Sequence, residues 1–373
     1  MKVPFMDLKS LHRDILPEYL KKVKNIFDSN DFILGEEVKQ FESEFAVYCN
    51  VRYAVGVNSG TDALFLGLLS LGIGKNDEVI VPAFTYIASA LAITYTGAKP
   101  KFVDIEESSY NIDVDSLNKA ISKKTKAIMP VHLYGQPANM PQILKIADKY
   151  GLKVIEDSAQ AHGADWKDSK GNWHKAGSSS DVGCFSFYPS KNLGACGDGG
   201  IVVTNSKKLY KRLLMLRDYG RTSRYDHRTI GYNSRLDTLQ AAVLRLKLKK
   251  LDRANSMRKY NASIYNSLLN GCPGIKLPIV SDFARHIYHV YAIRIKNRNN
   301  LIKLLKKRKI TALIHYPIPL HLQKAYKFLG YKKGDFPVSE RVAKEVLSLP
   351  MYPHLKKREI EYVASCLRKI YER

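Results

Sequence analysis

Lys191 stands in SFYPSKNLGACGDGG, residues 186–200, between a short aromatic run and a string of glycines. An amine there can coat a surface, grip a phosphate or, once stripped of water, act as a nucleophile. The glycines let a backbone approach a ligand closely. Ser186 opens the same stretch. In AVGVNSGTDALFL, Asn58, Ser59, Gly60, Thr61 and Asp62 lie where an apolar run gives way to a helical one. That is an ordinary helix N-cap, or an anion site built on the first free N–H groups. EVIVPAFTY sets Phe84 just past another apolar run, as core or as a flat platform for a ring. LKVIEDSAQAHGA ends a buried run in Glu156 and Asp157, with Gln160 and His162 soon after. A carboxylate at the end of a buried strand is costly unless it caps a turn or meets a positive partner.

The elements that must position these residues are legible as a pattern. From about residue 50 to 205, short apolar runs (YAVGV, EVIVP, PKFVDI, KAIMPVHL, LKVIED) alternate with amphipathic segments such as TDALFLGLLSLG and MPQILKIADKYG. Alternation of this kind predicts an α/β fold, a mostly parallel sheet with helices on both faces. Ligands of such sheets bind beyond the carboxyl ends of the strands, where all the stretches above fall. After Asn205 the texture changes to longer helices, including an amphipathic run from Ser234 to about Leu269. HVYAIRI then reads as a strand, with a basic helix near 299–309 and a terminal helix from about Lys357. The expected division is an N-terminal arm with a large α/β domain over 1–245 and a smaller α+β domain over 246–373.

Composition narrows the class. Sixty Lys and Arg against 35 Asp and Glu give a formal charge of +25, which suits nucleic acid, an acidic membrane or a phosphorylated substrate. The basic residues are scattered on the outer faces of helices, as in LRLKLKKLDR, and no nucleic-acid motif accompanies them. Five cysteines, at 49, 184, 196, 272 and 366, are odd in number and contain no CxxC pair, so neither disulfides nor structural zinc is expected. Val79 to Ala98 runs uncharged for the length of a membrane span, but Pro82 and its scattered hydroxyls suit a strand, a turn and a helix of small residues. MKVPFMDLKS lacks the apolar core of a signal peptide, and a cytoplasmic location is expected.

A phosphate cradle, an aromatic face, a carboxylate and a lysine at neighbouring strand ends match one ligand, pyridoxal 5'-phosphate. Its phosphate needs N–H and hydroxyl donors, and its ring accepts a stack. A carboxylate beside the pyridine nitrogen keeps that nitrogen protonated, and the lysine forms a Schiff base. Neither a Walker motif around Lys191 nor a GxGxxG in the first βα unit is present.

Across almost its whole length the chain resembles the DegT-type sugar aminotransferases, which have fold type I of the pyridoxal phosphate enzymes. The resemblance runs through VPFMDLK, FILGEEVKQFESEFA, VGVNSGTDAL, VIVPAFTYIAS, VHLYGQPANM, VIEDSAQAHGA, FSFYPSKNLGACGDGG and GYNSRLDTLQAAVL, in that order. It implies that Lys191 is the Schiff-base lysine and proton carrier, that Asp157 partners the pyridine nitrogen, and that Gln160 contacts the ring hydroxyl. It implies Gly60, Thr61, Asp62 and Ser186 at the phosphate and Phe84 stacked on the ring. It implies too that Asn233 of GYNSR reaches the cofactor of the neighbouring subunit, so that a homodimer shares its active sites. In a variant class of the family histidine replaces the lysine and the enzyme removes a hydroxyl; the lysine here points to transamination, with glutamate the family's usual donor. LIHYPIPLHLQKAY, residues 313–326, is similar to members acting on dTDP-linked 3-keto-6-deoxyhexoses. There His315, Tyr316 and His321, with Tyr188, reach the sugar nucleotide or pack a stiff loop. Amination at C3 is the expectation and C4 the alternative. A dehydratase of the same fold, a regulatory protein on an enzyme scaffold and a nucleic-acid binder are the competing classes. No metal is implied.

Overall fold

The computed structural model describes residues 1–371. The alternating runs become strands β1 (Tyr53–Val57), β2 (Glu78–Pro82), β3 (Lys99–Val103), β4 (Thr125–Ile128) and β5 (Lys153–Asp157). A short hairpin, β6 (Asp165–Lys167) and β7 (Trp173–Lys175), intervenes before β8 (Val182–Ser186) and β9 (Gly200–Thr204). All but the hairpin form one seven-stranded sheet in the order β1-β9-β8-β5-β4-β2-β3. Pairing is parallel from β8 to β3, and β9 alone runs the other way, between β8 and β1. Successive residues enter different cores. Val79 and Val81 of β2 pack with Leu64, Leu66 and Ile93, whereas Ile80 packs with Leu117, Ile143 and Val154. A strand covered on both faces is apolar at every position, which is why these runs show no polar alternation.

Helices α1 (Leu8–Arg13), α2 (Leu16–Ser29) and α3 (Glu36–Tyr48) precede the sheet. Its first five strands are joined by α4 (Gly60–Ser70), α5 (Ile87–Tyr95), α6 (Val114–Ala120) and α7 (Met140–Tyr150), and α8 (Lys207–Leu216) follows β9. The uncharged stretch resolves into β2, a turn and α5, and among the described residues no helix is long and apolar enough to cross a membrane.

The run from Ser234 to Leu269 is two helices rather than the single one expected. α9 (Thr238–Leu248) ends in a tight turn in which Lys250 N–H bonds Lys247 O, and α10 (Leu251–Leu269) begins directly after it. The reason is burial. α9 packs Ala241, Val243 and Leu244 with Phe41 and Phe45, while α10 offers Ala262, Tyr265 and Leu269 to a different core with Ile293 and Leu349. The proposed domain boundary at residue 245 falls inside α9, just ahead of this break.

The remaining strands are β10 (Ile275–Lys276), β11 (Ala284–Arg285), β12 (Tyr291–Ile295) and β13 (Val346–Leu349). β12 lies between β10 and β13 in a second antiparallel sheet, and β11 pairs with β6. α11 (Arg298–Lys307), α12 (Pro337–Glu345) and α13 (Lys357–Tyr371) accompany them. Besides the β6–β11 pair, exchanged segments tie this part to the rest. Val3 is wholly buried, bonding Lys309 O through its N–H and Thr311 N–H through its carbonyl. In return, Leu320, Tyr326 and Phe336 join the core of α4 and α5, where Leu320 N–H reaches Ala83 O at 2.7 Å.

Candidate active site

The carboxyl ends of β1, β2, β5 and β8 open into one cavity of about 470 Å³. Beyond β1, Ser59 caps α4, its Oγ accepting the Asp62 N–H at 3.0 Å. The first N–H groups of a helix have no partner inside it, and Gly60 and Thr61 line the cavity. Ser234 braces this turn by donating to Asp62 Oδ2 at 2.6 Å and accepting the Asn58 N–H at 3.3 Å. Ser186, the last residue of β8, presses on Gly60: a Cβ at position 60 would stand 2.4 Å from the Ser186 Cβ. Gly60→Ala must therefore push Ser186 out of the cradle. We expect the substitution to weaken pyridoxal phosphate binding by about 1–3 kcal/mol, the ordinary cost of overpacking. An absorbance titration of the apoprotein measures it; unchanged affinity would remove the cradle from the site.

β5 ends in two carboxylates that leave the strand on opposite faces. Glu156 Oε2 accepts from His132 Nε2 at 2.8 Å and from the Gly177 N–H at 2.7 Å. The His132 tautomer is set by Nδ1, which accepts the Ala138 N–H at 3.0 Å. Glu156 is thus a structural group. Asp157 lines the cavity instead, its Oδ2 accepting from Ser89 Oγ at 2.7 Å and its Oδ1 from the Ala159 N–H at 3.1 Å. Burial raises its pKa above the ordinary carboxylate value, against the pull of those two donors and of the Lys191 charge.

Lys191 closes a turn that begins at Tyr188, with its N–H on Tyr188 O at 2.8 Å and Pro189 in the second position that favours proline. Desolvation lowers its ammonium to about 8, while Asp157 works in the opposite direction. Gln160 spans the cavity wall: Oε1 accepts the Tyr134 N–H at 2.7 Å and Nε2 donates to the Tyr316 hydroxyl at 3.1 Å. His315 donates or accepts at Ser348 Oγ through Nδ1 at 2.8 Å, and burial with the Lys191 charge lowers it to about 4, so its ring is neutral. A weakened ammonium, a buried carboxylate and a helix N-terminus therefore share one chamber.

The model of the DegT/DnrJ/EryC1/StrS aminotransferase family matches residues 13–368. The chain belongs to this family. It is 46% identical over 372 residues to the dTDP-3-amino-3,4,6-trideoxy-alpha-D-glucose transaminase of Streptomyces venezuelae, covering 100% of this chain and 97% of that protein. Among solved structures it resembles S. venezuelae DesV in complex with a ketimine intermediate, with a TM-score of 0.97 and 46% identity over 100% of this chain and 99% of that one. It also resembles NtdA from Bacillus subtilis with bound cofactor PMP, with a TM-score of 0.91 and 32% identity over 100% and 86% of the two chains. The fold is that of the family's aminotransferases, and the protein is an enzyme of this class.

Within the family framework most of the expected site residues meet. Gly60, Thr61, Asp157, Gln160, Ser186, Tyr188, Lys191, His315 and Tyr316 all line the cavity. Phe84 does not. The Ala83 N–H extends the pairing of β2 to Val103 O, so the Phe84 ring turns into the core beside Val131 and Leu133. Of the two aromatics that follow β2, the one that lines the cavity is Tyr86, 55% exposed, its ring 5.6 Å from that of Tyr316. Asp62 also stands apart, since its N–H is held by Ser59 and its carboxylate by Ser234. His321 does not line the cavity: it is buried against Phe336 and bonds Glu340 at 3.1 Å, the loop-packing alternative, because the docking of Leu320 on β2 carries it away from the chamber. Asn233 is exposed and does not line its own chain's cavity. Sequence reasoning missed Tyr86, Ser89 and His289.

Proposed function

We propose that the chain is a pyridoxal phosphate-dependent transaminase that moves an amino group from glutamate to C3 of a dTDP-linked 3-keto-6-deoxyhexose. The observation that carries this reading is the single chamber holding Lys191, Asp157 and the N-terminus of α4. Its donor chemistry fits the cofactor. Gly60, Thr61 and Ser186 would take the phosphate, Asp157 the ring nitrogen, Gln160 the ring hydroxyl and Tyr86 the ring face. When bound, the cofactor supplies an electron sink for charge developing at a carbon next to the transferred nitrogen. Lys191 Nζ would anchor it and, once free, would carry the proton that moves between carbons during transfer. The Asp157 carboxylate would hold a proton on the ring nitrogen. Tyr316, whose hydroxyl burial keeps protonated, holds the Gln160 amide in place.

Tyr188, His315 and Tyr316 form the wall toward which the sugar nucleotide would enter, and the high identity to a 3-amino sugar transaminase favours C3 over C4. Exposed Asn233 suits a role at a neighbouring subunit's cofactor, which makes a homodimer the proposed active form. Steering of the diphosphate would fall to the basic surplus near Arg221, Arg224, Arg228 and the basic helix α11, of which Arg221 and Arg228 are also paired with Asp218 and Asp226 at 2.7 and 2.8 Å.

Borohydride reduction of the yellow holoenzyme, followed by peptide mapping, should place the label on Lys191. Incubation with glutamate and each isomeric keto sugar nucleotide should then give an amine at C3. A label on another side chain removes the proposed chemistry, and exclusive amination of the 4-keto isomer removes the proposed substrate.

A further inference from the structure

His289 lines the same cavity as Lys191 yet serves neither the phosphate cradle nor the ring contacts. It precedes β12 and is 8% exposed. Its Nδ1 lies 3.0 Å from Asn192 Oδ1, and a chain of amides fixes the direction of that bond. Asn255 of α10 donates through Nδ2 to His162 O at 2.8 Å, which leaves its Oδ1 to accept from Asn192 Nδ2 at 2.8 Å. Asn192 therefore presents oxygen to His289, and Nδ1 must donate. The neutral imidazole keeps an unprotonated Nε2, which has no hydrogen-bond partner among the described residues, on a side chain that lines the chamber. Arg258 holds the backbone on either side, bonding Tyr288 O and His289 O at 3.3 and 3.4 Å. Burial first, then the charges of Lys191 and Arg258 and the nearby His315 and His162, keep the ring in its neutral form.

We infer that His289 Nε2 accepts a hydrogen bond from the ε-amine of Lys191 whenever that amine is free, and so aims the lone pair of Nζ across the cavity. A neutral amine has two N–H groups and one lone pair, and attack on a carbonyl requires the lone pair to be turned toward the carbon. An acceptor for one N–H achieves this, whereas an imidazolium would present a donor and repel the lysine. His289 is thus a positioning residue acting through Lys191, an inference that rests on Lys191 being the reacting lysine.

The tautomer is testable in apoprotein carrying nitrogen-15 histidine, with the His289 signals identified by their loss in H289N. The Nδ1–H tautomer is expected, unchanged from about pH 8 to about pH 6, where an ordinary histidine begins to charge. H289N keeps a donor for Asn192 but deletes the Nε2 lone pair. It should capture pyridoxal phosphate covalently on the order of 10²-fold more slowly than the parent, the scale of a misplaced reacting group, with unchanged equilibrium affinity for pyridoxine phosphate, which has no aldehyde. H289Q, whose amide reaches the Nε2 position, should recover part of the rate. If neither variant folds, the tautomer of the parent protein decides, its His289 signals assigned instead through backbone connectivities to Tyr288 and Val290. An Nε2–H tautomer, or wild-type capture by H289N, overturns the inference. A borohydride label away from Lys191 would instead overturn the reading of the lysine, independently of the tautomer.

Discussion

Lys191→Ala will lower amino transfer from glutamate to the keto sugar by about 10⁴-fold, the upper range for removal of a proton-transferring side chain. The protein should still bind pyridoxal phosphate through the cradle, but borohydride should fix none of it. Lys191→Arg is the discriminating control. It preserves positive charge opposite Asp157 but holds its proton at any accessible pH, so it should be as inactive as alanine if the lysine acts as a neutral amine. Activity in the arginine variant would reduce Lys191 to an electrostatic group. The pH dependence carries the same argument. Burial destabilises the ammonium and brings it to about 8. Only the neutral form attacks, so covalent capture of the cofactor should be flat above about pH 8 and fall roughly tenfold per unit below it. Capture still rising steeply toward about pH 10 would indicate an ordinary, solvated lysine.

What the sequence made legible follows from how locally each feature is encoded. Strand ends are fixed by short apolar runs, so the amino-acid sequence places Lys191, Asp157, Gln160 and the turn at Gly60 at one edge of a sheet. Errors arose where a residue's direction depends on distant partners. Phe84 and Tyr86 are both aromatic and both follow β2; which one meets the cavity is decided by one further pairing, from Ala83 to Val103. His321 shares a segment with His315 and Tyr316, yet its position is set by the docking of Leu320 on the large sheet. Ser89 read as a small residue of a buried helix, and its bond to Asp157 spans 68 positions. His289 lay in a strand-like run, and its importance depends on a relay through Asn192 to Asn255 on another helix. The break between α9 and α10 was hidden for the same reason, since an amphipathic pattern does not say that its two halves face different cores.

Asp157→Asn should separate the electrostatic role of this carboxylate from its structural one. The asparagine is nearly the same shape, and the hydroxyls beside it can adapt: Ser89 Oγ and Thr85 Oγ1 lie 3.2 Å apart with either able to donate, so Ser89 can turn from donor to acceptor for the new amide. The apoprotein should keep its fold. The sign of the stability change follows from the raised pKa. A folded-state value above the unfolded one means that burial disfavours the anion, so Asp157 subtracts from stability progressively as pH rises from its unfolded to its folded pKa, and in full above that. Removing that charge should leave the melting temperature of the apoprotein at neutral pH unchanged or higher. Catalysis should move the other way. Without an anion to hold a proton on the pyridine nitrogen, the electron sink is weakened when charge develops on carbon, and kcat should fall by about 10²- to 10³-fold, as for loss of one preorganised electrostatic partner. A protein that becomes more stable and slower together places Asp157 in the chemistry. One that loses stability and keeps its rate would make the residue a turn cap, the alternative its position at the end of β5 also allowed.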